Sequence, residues 1–332
     1  MRDRFGRNIH YLRVSVTDRC NLRCQYCMPA AGVCSIPHEE VLRFDEVERV
    51  ARVMAELGVD RVRLTGGEPL VRKNVAALAA SIKRIPGIGF LGLTTNGTLL
   101  QPLAHELRDA GVDGLNISLD TLDENRYFEL TRGGALQKAL DGLHAALAQG
   151  FPSVKVNCVL APQSTRADWL GVVALARDLP VDVRLIEWMP VAGEAGAGGI
   201  ENDVALELLA QAYGPLAPAE DGRQGGPAQY WKIAGFKGRL GIIHAMSHNF
   251  CAGCNRLRLT AAGNLKLCLF YDSGLALKPL LRGGATDAQL AEAIQAAVLD
   301  KPLRHHGQVL AGDGDETGAG HFPTRGMYKT GG

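Results

Sequence analysis

The sequence predicts an α/β protein in which six parallel strands curl into an incomplete, TIM-like (β/α)6 barrel. Six short β-rich runs alternate with helical stretches over the first two thirds of the 332 residues, and after the second run they recur about every 25 to 40 residues. That distance is the length of a βαβ unit, which joins two parallel strands through a helix. A full eightfold barrel would need about 250 residues for this part alone. A flat doubly wound sheet gives a similar pattern and stays an alternative.

The predicted strands are short runs rich in residues that favour β-structure, and an amphipathic helix is predicted between two of them. In the segment Asp45–Leu57, apolar residues recur at helical spacing while the charged residues face away. The six strands are predicted at Tyr11–Thr17, Arg61–Thr65, Phe90–Thr95, Gly114–Leu119, Val154–Leu160 and Val181–Glu187.

The strand–helix alternation stops at Pro190. The Gly- and Ala-rich residues 191–200 that follow are predicted to form a loop or linker. A short helix, Asp203–Tyr213, and a second Pro/Gly-rich stretch come next. We therefore predict two domains, residues 1–220 and residues 221–332.

The last third of the chain is predicted to hold a hairpin, a helix and an irregular tail. Tyr230–Ile243 alternates like a hairpin around Gly238, and a helix is expected at about Thr286–Leu299. The tail Arg304–Gly332 contains eight glycines in 29 residues, a composition typical of disorder.

Composition and charge exclude several classes of protein. Lys and Arg number 36 against 35 Asp and Glu, so the net charge of +1 creates no global field toward nucleic acid or a membrane. No apolar run reaches the roughly 18 residues of a spanning helix. The N-terminal residues lack the apolar stretch of a secretory signal. We therefore expect a cytoplasmic protein in a reducing compartment.

Eight cysteines are too few for a disulfide scaffold, and six of them form two groups of three. The first triplet is Cys20, Cys24 and Cys27, with C-x3-C-x2-C spacing. Thiolates are soft ligands that select zinc or iron–sulfur clusters. A cubane cluster has four irons, so three cysteines leave one iron open to a substrate or cofactor. A fourth ligand from Cys34 is the rival interpretation.

The second triplet is Cys251, Cys254 and Cys268. The two C-x2-C pairs of the chain could be taken for one zinc ribbon. Ribbon pairs lie about 15 to 20 residues apart, whereas more than 200 residues separate these pairs. A ribbon would also leave two of the six cysteines without a function. Two separate open clusters explain all six, and Cys34 and Cys158 are interpreted as a loop thiol and a buried small residue.

Three segments carry a resemblance to a known family. Cys20–Cys27, with an aromatic residue before its last cysteine, resembles the signature of the radical S-adenosylmethionine superfamily. Thr65–Pro69 is similar to the GGEP motif of that superfamily. Cys251–Arg258, together with Cys268 and the terminal Gly331–Gly332, is similar to the GTP 3′,8-cyclase family of molybdenum cofactor biosynthesis. The resemblance covers nearly the whole chain and implies a partial barrel of the radical S-adenosylmethionine type, with a C-terminal cluster-binding region covering its open side.

The resemblance implies the cofactors. Family members bind a [4Fe–4S] cluster at the first triplet and S-adenosylmethionine at the open iron of that cluster. They cleave S-adenosylmethionine to methionine and a 5′-deoxyadenosyl radical. A second [4Fe–4S] cluster at the second triplet would anchor the guanine ring. Two residues without Cβ, Gly66 and Gly67, let the backbone approach a ligand, although a plain strand-to-helix turn would also use them. The residues that match the family's contacts to S-adenosylmethionine are Tyr26, Gly67, Ser118 and Met189.

The activity that the resemblance implies is the first step of molybdenum cofactor biosynthesis. The radical abstracts the ribose 3′ hydrogen of GTP, and the ribose carbon then attacks C8 of guanine to give (8S)-3′,8-cyclo-7,8-dihydroguanosine 5′-triphosphate. No residue is assigned as a general acid or base. The terminal Gly331–Gly332 is expected to reach into the active site as a narrow segment without side chains.

A triphosphate needs cationic partners, and the chain has no G-x-x-x-x-G-K-[ST] loop to hold one. The planar fork of arginine pairs phosphate oxygens bidentately. Several basic residues lie on predicted strands or beside the second triplet, which favours one convergent anionic site. These are Arg13, Arg63, Lys155, Arg184, Arg256 and Arg258. In the family, the positions that contact the nucleotide are matched by Arg13, Arg63, Thr94, Lys155, Arg256, Leu257 and Arg258.

The resemblance also implies partners. These are an external one-electron reductant of the flavodoxin or ferredoxin type and, downstream, a cyclic pyranopterin monophosphate synthase. Both a monomer and a homodimer are open. Two other functions stay as alternatives. One is a radical S-adenosylmethionine enzyme of another kind with an auxiliary cluster, such as a peptide maturase. The other is a zinc-binding nucleic-acid or scaffold module, against which the net charge of +1 speaks.

Overall fold

The computed structural model of the chain describes residues 1–189, 199–220, 226–247, 250–271 and 273–304. Within them, the strands are β1 (Tyr11–Ser15), β2 (Arg61–Thr65), β3 (Phe90–Thr95), β4 (Gly114–Ser118), β5 (Ser153–Leu160), β6 (Asp182–Glu187), β7 (Leu216–Ala219), β8 (Gln229–Ile233), β9 (Arg239–Ile243), β10 (Arg256–Leu259), β11 (Asn264–Lys266) and β12 (Gly274–Ala276). The α-helices are α1 (Phe44–Glu56), α2 (Val75–Lys83), α3 (Ala104–Asp109), α4 (Glu124–Thr131), α5 (Leu136–Ala148), α6 (Arg166–Asp178), α7 (Asn202–Tyr213), α8 (Leu277–Arg282) and α9 (Asp287–Leu299). No α-helix in these ranges combines the length and the apolar character that crossing a membrane requires.

The described strands form one open sheet in the order β12-β11-β10-β1-β2-β3-β4-β5-β6-β9-β8-β7. The six predicted strands are β1 to β6, and each pairs in parallel with the next along the chain. Consecutive strands are therefore neighbours in one direction, as in a barrel, whereas a doubly wound sheet reverses its order at a switch point. The α/β fold with a partial, open barrel is confirmed, and the flat doubly wound alternative is wrong.

The last third of the chain extends this sheet at both edges. β10 pairs in parallel with β1, and β9 pairs in parallel with β6, so eight parallel strands form the centre. The predicted hairpin is the antiparallel pair β8 and β9. The two added parallel strands were not predicted. The proposed domain boundary near residue 220 falls between β7 and β8, which pair with each other, and the two-domain division stays a prediction.

Side chains on the parallel strands alternate between an apolar outer face and a polar inner face. Leu12, Val14, Val62 and Leu64 have no exposed surface and belong to the core between sheet and helices. The residues between them are polar or charged. Strands buried on both faces are normally apolar throughout, so the polar inner face marks the inside of this sheet as a binding site.

The predicted helices are confirmed with ends shifted by a residue or two. α1 begins at Phe44 and buries the apolar stripe predicted for it. α9 begins after Thr286, whose hydroxyl accepts the N–H of Gln289 while the Gln289 side chain accepts the N–H of Thr286. Such a reciprocal cap contributes about 1 kcal/mol and fixes the point from which the chain runs toward residue 301.

Candidate active site

The inner face of the parallel strands lines a cavity of about 340 Å³. The loops that carry both cysteine triplets form part of its wall. The predicted site residues that the structure brings to this wall are Cys20, Cys24, Cys27, Cys251, Cys254, Cys268, Tyr26, Gly67, Ser118, Met189, Arg13, Arg63, Thr94, Lys155, Arg184, Arg256 and Arg258.

A few predicted residues do not line the cavity. The side chain of Leu257 has no exposed surface and packs in the core, because strand alternation turns it away from the face that Arg256 and Arg258 share. Gly331 and Gly332 lie outside the described residues. Cys34 is an exposed thiol and Cys158 is buried on β5, as interpreted from the sequence.

The first triplet lies on the loop after β1. The N–H groups of Cys27 and Met28 donate to the carbonyl oxygen of Cys24 at 2.9 and 3.2 Å, which closes a tight turn between two of the cysteines. The N–H of Leu22 donates to Sγ of Cys20 at 3.4 Å. None of these three cysteines forms a disulfide. The loop therefore presents three soft donors to one end of the cavity.

The chemistry of these donors fits a metal–thiolate cluster. Burial, followed by Asp120 and the neighbouring thiols, raises the pKa of Cys24 well above its ordinary value, and burial also raises the pKa of Cys20. Metal binding is what holds such buried thiols as thiolates. In the part of the chain that the structure describes, no three His, Cys, Asp or Glu residues are grouped to hold a single metal ion. Tetrahedral zinc would need its sulfurs about 4 Å apart.

Gly67 is required by a close approach of two loops. Its N–H donates to the carbonyl oxygen of Thr17 at 2.8 Å, and the N–H of Glu68 donates to that of Arg19 at 2.8 Å. A Cβ on Gly67 would collide with the Arg19 carbonyl, just before the first triplet. The sequence explained this glycine by contact with a ligand. The structure adds a second reason, which is that the GGEP segment packs directly on the cysteine loop.

Glu68 is a buried carboxylate that ties the GGEP segment to the next strand. It accepts hydrogen bonds from the N–H groups of Leu70 and Asn96 and from the hydroxyl of Thr95, at 2.7 to 3.0 Å. Burial raises the pKa of Glu68 to about 7, although these three donors favour the charged form. The network stabilises the turn that follows β2 at the rim of the cavity.

Tyr26 has a partner that the sequence did not identify. Asp120 follows β4, hydrogen-bonds the Tyr26 side chain and accepts the N–H of Val159 at 2.8 Å. Burial raises the pKa of Asp120 to about 6. An Asp two residues after a predicted contact, Ser118, was the available signal, but spacing alone could not pair it with Tyr26.

Six basic residues at the opposite end of the wall form what we call the cationic set: Arg13, Arg63, Lys155, Arg184, Arg256 and Arg258. They lie within strands rather than after them. The ladder places Arg13 directly between Arg63 on one neighbouring strand and Arg258 on the other. The predicted convergence of cations is thus a layer of the barrel interior, deeper than the loops of the first triplet.

The partners of two of these arginines are uncharged. Arg63 donates from Nε to the hydroxyl of Tyr11 at 2.6 Å and from Nη1 to the carbonyl oxygen of Leu93 at 3.0 Å. Arg184 donates from Nε and Nη2 to Oδ1 of Asn157 at 2.9 and 2.6 Å. These bonds orient the guanidinium groups without neutralising them, so their charge is available to an anion.

Two buried polar atoms in the wall have no hydrogen-bond partner among the described residues. They are Oγ1 of Thr94 and Nε of Arg256. An unsatisfied buried group costs about 1 to 3 kcal/mol. Both belong to residues predicted to contact the nucleotide, and a polar ligand would satisfy both.

The crowding of cations changes the protonation of its members. Burial and Arg256 lower the pKa of Arg258 to about 10, and burial and Arg258 lower the pKa of Arg13 well below its ordinary value. Burial would raise the pKa of Tyr11, but Arg63 and then Arg13 lower it to about 8. Such mutual repulsion stores a preference for a polyanion that would relieve it.

The second triplet has a different electrostatic environment from the first. Burial acts to raise the pKa of Cys254, but Lys301 and Arg256 outweigh it and the pKa is lowered. None of its three cysteines forms a disulfide. This triplet is therefore a soft donor set next to positive charge, at the end of the cavity that holds Arg256 and Arg258.

Several wall residues were missed by the sequence analysis. Tyr11, Asn116 and Asn157 occupy inward positions of β1, β4 and β5, each two residues from a predicted site residue, so alternation could have found them. Nζ of Lys155 donates to the hydroxyl of Tyr230 on β8 at 3.2 Å, and the Arg239 guanidinium lies 4.4 Å from the Tyr230 ring centroid. The place of Tyr230 depends on long-range pairing and had no local signal.

Two protein-family models together match most of the chain. A model of the Radical SAM superfamily matches residues 14–176, and the model named Molybdenum Cofactor Synthesis C matches residues 181–307. The chain is 46% identical over 309 residues to the GTP 3′,8-cyclase of Moorella thermoacetica, covering 92% of this chain and 95% of that protein. It is 40% identical to the GTP 3′,8-cyclase of Clostridium perfringens over 332 residues, the whole of both chains.

Two further comparisons extend this picture. The chain is 42% identical over 307 residues to Molybdenum cofactor biosynthesis protein 1 of Bos taurus, and it spans about half of that protein, 48% of its length. Among solved structures, Streptococcus suis SuiB bound to S-adenosylmethionine superposes with a TM-score of 0.58 at 15% identity, covering 85% of this chain and 65% of that chain. At that identity the likeness concerns the fold alone.

Proposed function

The chain belongs to the GTP 3′,8-cyclase family of the radical S-adenosylmethionine superfamily, and on this premise we propose how its cavity is divided between cofactor and substrate. The enzyme converts GTP to (8S)-3′,8-cyclo-7,8-dihydroguanosine 5′-triphosphate through a 5′-deoxyadenosyl radical, the first step of molybdenum cofactor biosynthesis. One observation carries the division: both triplets and the cationic set open onto the same cavity. The peptide-maturase and zinc-module alternatives are set aside.

The cofactor occupies the rim of the barrel. A [4Fe–4S] cluster and S-adenosylmethionine supply the 5′-deoxyadenosyl radical when one electron arrives. We assign the cluster to the first triplet and S-adenosylmethionine to Tyr26, Gly67, Ser118 and Met189. Each of these four residues lies at or just after the carboxyl end of a strand or in the loop after β1. Active sites of barrel enzymes are built at that end.

The triphosphate of GTP occupies the deeper layer, held by the cationic set. Arg63 and Arg184 are already oriented by neutral partners. The partnerless atoms of Thr94 and Arg256 would gain a hydrogen bond when the nucleotide binds. For Leu257, any contact with the nucleotide has to come from its main chain, because its side chain faces the core. This placement sets the ribose between the cofactor at the rim and the guanine near the second triplet, and holding the reacting atoms together is worth several kcal/mol.

We assign a second [4Fe–4S] cluster, with an open iron that anchors guanine, to the second triplet. The support is the donor set itself: three thiols outside any disulfide line the cavity beside positive charge. Three cysteines cannot saturate a cubane cluster. The open position is therefore available to the substrate in the way that the open iron of the first cluster is available to S-adenosylmethionine.

The remaining parts of the proposal concern partners and organisation. An external one-electron reductant of the flavodoxin or ferredoxin type supplies the electron, and a cyclic pyranopterin monophosphate synthase consumes the product. The division into residues 1–220 and 221–332, a homodimer as an alternative to a monomer, and an active-site position of Gly331 and Gly332 stay proposals.

Anaerobic reconstitution tests the proposal as a whole. The protein is loaded with iron and sulfide and incubated with GTP, S-adenosylmethionine and dithionite. We expect 5′-deoxyadenosine and a cyclised nucleotide in equal amounts, and about eight irons and eight labile sulfides per chain. Four irons per chain with full activity would show that the assignment of a second cluster is wrong. Two zinc ions and no labile sulfide would remove both clusters.

Replacing Cys254 by alanine separates the two triplets. We expect the iron content to fall by about half and the cyclised nucleotide to be lost, because guanine is no longer anchored, while some cleavage of S-adenosylmethionine survives at the intact first triplet. The measurement is the ratio of 5′-deoxyadenosine to cyclised nucleotide. Cleavage lost as completely as in Cys24→Ala would contradict the division of labour.

Tyr11 makes GTP binding depend on pH. Below its pKa of about 8 the phenol is neutral, and above that pKa the phenolate partly neutralises the surrounding arginines and repels the triphosphate. Bound GTP occupies the arginines and returns the pKa of Tyr11 toward its ordinary value near 10, so GTP affinity should fall about tenfold from pH 7 to pH 9. The charged groups around Tyr11 are Arg61, Arg63, Arg256 and Arg258 on its neighbouring strands and Arg13 on its own strand.

Equilibrium dialysis with radiolabelled GTP across this pH range measures the effect. Tyr11→Phe should flatten the profile, and Tyr213→Phe, a tyrosine outside the cavity that packs edge-on against Phe236, should leave it unchanged. A profile in Tyr11→Phe that still falls tenfold would show that another group is responsible.

A further inference from the structure

Lys301 is a buried lysine that belongs to none of the motifs described in the sequence. It follows α9, lines the cavity, and only 2% of its surface is exposed. Its Nζ donates to the carbonyl oxygens of Arg256 at 3.0 Å and Leu267 at 2.5 Å, and hydrogen-bonds the side chain of Cys254. Lysines are almost never buried this deeply unless they are paired.

The partners of Lys301 determine what its charge is for. Within the described ranges, Nζ of Lys301 hydrogen-bonds two carbonyl oxygens and a thiol, and no ion pair joins it to a carboxylate. Burying an ammonium group without a counter-charge is strongly unfavourable. The groups beside it that can carry negative charge when they bind metal are the cysteines of the second triplet.

The contacts also tie two ligands of the triplet together. Arg256 lies two residues after Cys254, and Leu267 directly precedes Cys268. One ammonium group therefore holds the backbone beside both cysteines, which are separated by thirteen residues along the chain. A residue that only filled space would not need to contact both segments.

The backbone of Lys301 is also linked, through Arg7, to the remaining cysteine of the second triplet, Cys251. The buried Arg7 donates from Nη1 to the carbonyl oxygens of Cys251 at 2.9 Å and Leu303 at 3.0 Å, and from Nη2 to those of Lys301 at 3.3 Å and Pro302 at 2.7 Å. Arg7 also donates from Nε to Oδ2 of Asp3, which holds the guanidinium in place, and both side chains are almost fully buried. Residues 301–303 are thus clamped against the segment that carries Cys251.

We propose that Lys301 is a positioning residue for the second cluster: its ammonium group orders the three cysteines and its positive charge offsets the charge of their thiolates, which raises the reduction potential of the cluster. This inference rests on the second cluster of the proposed function. Hydrogen bonds to ligand sulfurs and the net charge around a cluster are the protein's main means of setting its potential. Removing the ammonium should make the cluster harder to reduce.

The test measures the potential of the second cluster in the full chain. The background is Cys20→Ala/Cys24→Ala/Cys27→Ala, so that only the second triplet binds iron. Lys301→Met removes the charge at similar length, and Lys301→Arg keeps it. After reconstitution, iron and sulfide are counted and the cluster is titrated under electron paramagnetic resonance.

We expect Lys301→Met to bind about four irons. At the potential where half of the background clusters are reduced, the ratio of reduced to oxidised cluster in Lys301→Met should be about tenfold lower than in the background. Lys301→Arg should titrate within twofold of the background. An unchanged midpoint in Lys301→Met would overturn the proposal. If Lys301→Met loses its iron, an unchanged Tm of the iron-free protein supports the ordering of the cysteines, and a lowered Tm overturns it. If the background itself binds no iron, the proposed second cluster is wrong and this inference is wrong with it. If the background binds iron and both Lys301 variants have its midpoint potential, only this inference is wrong.

Discussion

Replacing Cys24 by alanine is expected to abolish cleavage of S-adenosylmethionine, with 5′-deoxyadenosine falling more than a thousandfold. Cys24 is the central member of the first triplet, and its carbonyl oxygen closes the turn by accepting the N–H groups of Cys27 and Met28. Two remaining cysteines cannot hold a cubane cluster that has one open iron. Without it no electron reaches S-adenosylmethionine, so every later step stops. We expect the iron content to fall by about half, because the second triplet is untouched.

Cys34→Ala is the matched control for this result. Cys34 is exposed in the loop after the first triplet and would be the fourth ligand in the rival interpretation. If the first cluster has three cysteine ligands, Cys34→Ala keeps its iron and its cleavage. Equal losses in Cys24→Ala and Cys34→Ala would instead indicate a closed, four-ligand site. Both variants are assayed for iron, labile sulfide and 5′-deoxyadenosine after the same reconstitution.

Replacing Arg256 by alanine is expected to weaken GTP binding by about 30- to 1,000-fold, corresponding to about 2 to 4 kcal/mol. Its Nε is buried without a hydrogen-bond partner, and its guanidinium lies 5.1 Å from the ring centroid of Phe250 at the cavity wall. The side chain is thus held in place and lacks only a ligand. Removing it takes away a charge-assisted hydrogen bond to the nucleotide, while all three cysteines of the second triplet stay in the chain.

GTP affinity and iron content have to be measured together for this variant. Arg256→Lys keeps the charge but loses the planar fork, so it should fall between the wild type and Arg256→Ala. Arg52→Ala, on the outer surface of α1, is the control for a lost arginine and should bind GTP as the wild type does. Unchanged GTP affinity in Arg256→Ala would remove this residue from the substrate site. A loss of iron in the same variant would mean that it acts through the second triplet.

The parts of the fold that local patterns encode were predicted from the sequence. The six central strands and the three helices that were given bounds were placed to within a residue or two because their periodicity is local. β9 and β10 were not recognised as parallel strands, because their partners, β6 and β1, lie far away in sequence. Pairing over such distances leaves no trace in a short window.

The same distinction explains which site residues were found. The cysteines carried the cluster assignments because their spacing is itself chemical information. Lys301 resembles an ordinary surface lysine in its local sequence, Asp300-Lys301-Pro302, and only the fold shows that it is buried. Leu257 was assigned by its place in a motif. The alternation of β10 would have predicted that its side chain points away from the neighbouring arginines.

The pairing of β10 with β1 has a consequence for biosynthesis. Residues 11–14 pair with residues 256–259, so one edge of β1 has no partner until about 245 further residues have been made. At about 5 to 20 residues per second, the ribosome needs about 12 to 50 seconds for that stretch. Unpaired strand edges promote aggregation, and charged side chains on them oppose it. We therefore expect a second use for Arg13: before any nucleotide binds, its charge should oppose aggregation at the open edge of the nascent sheet.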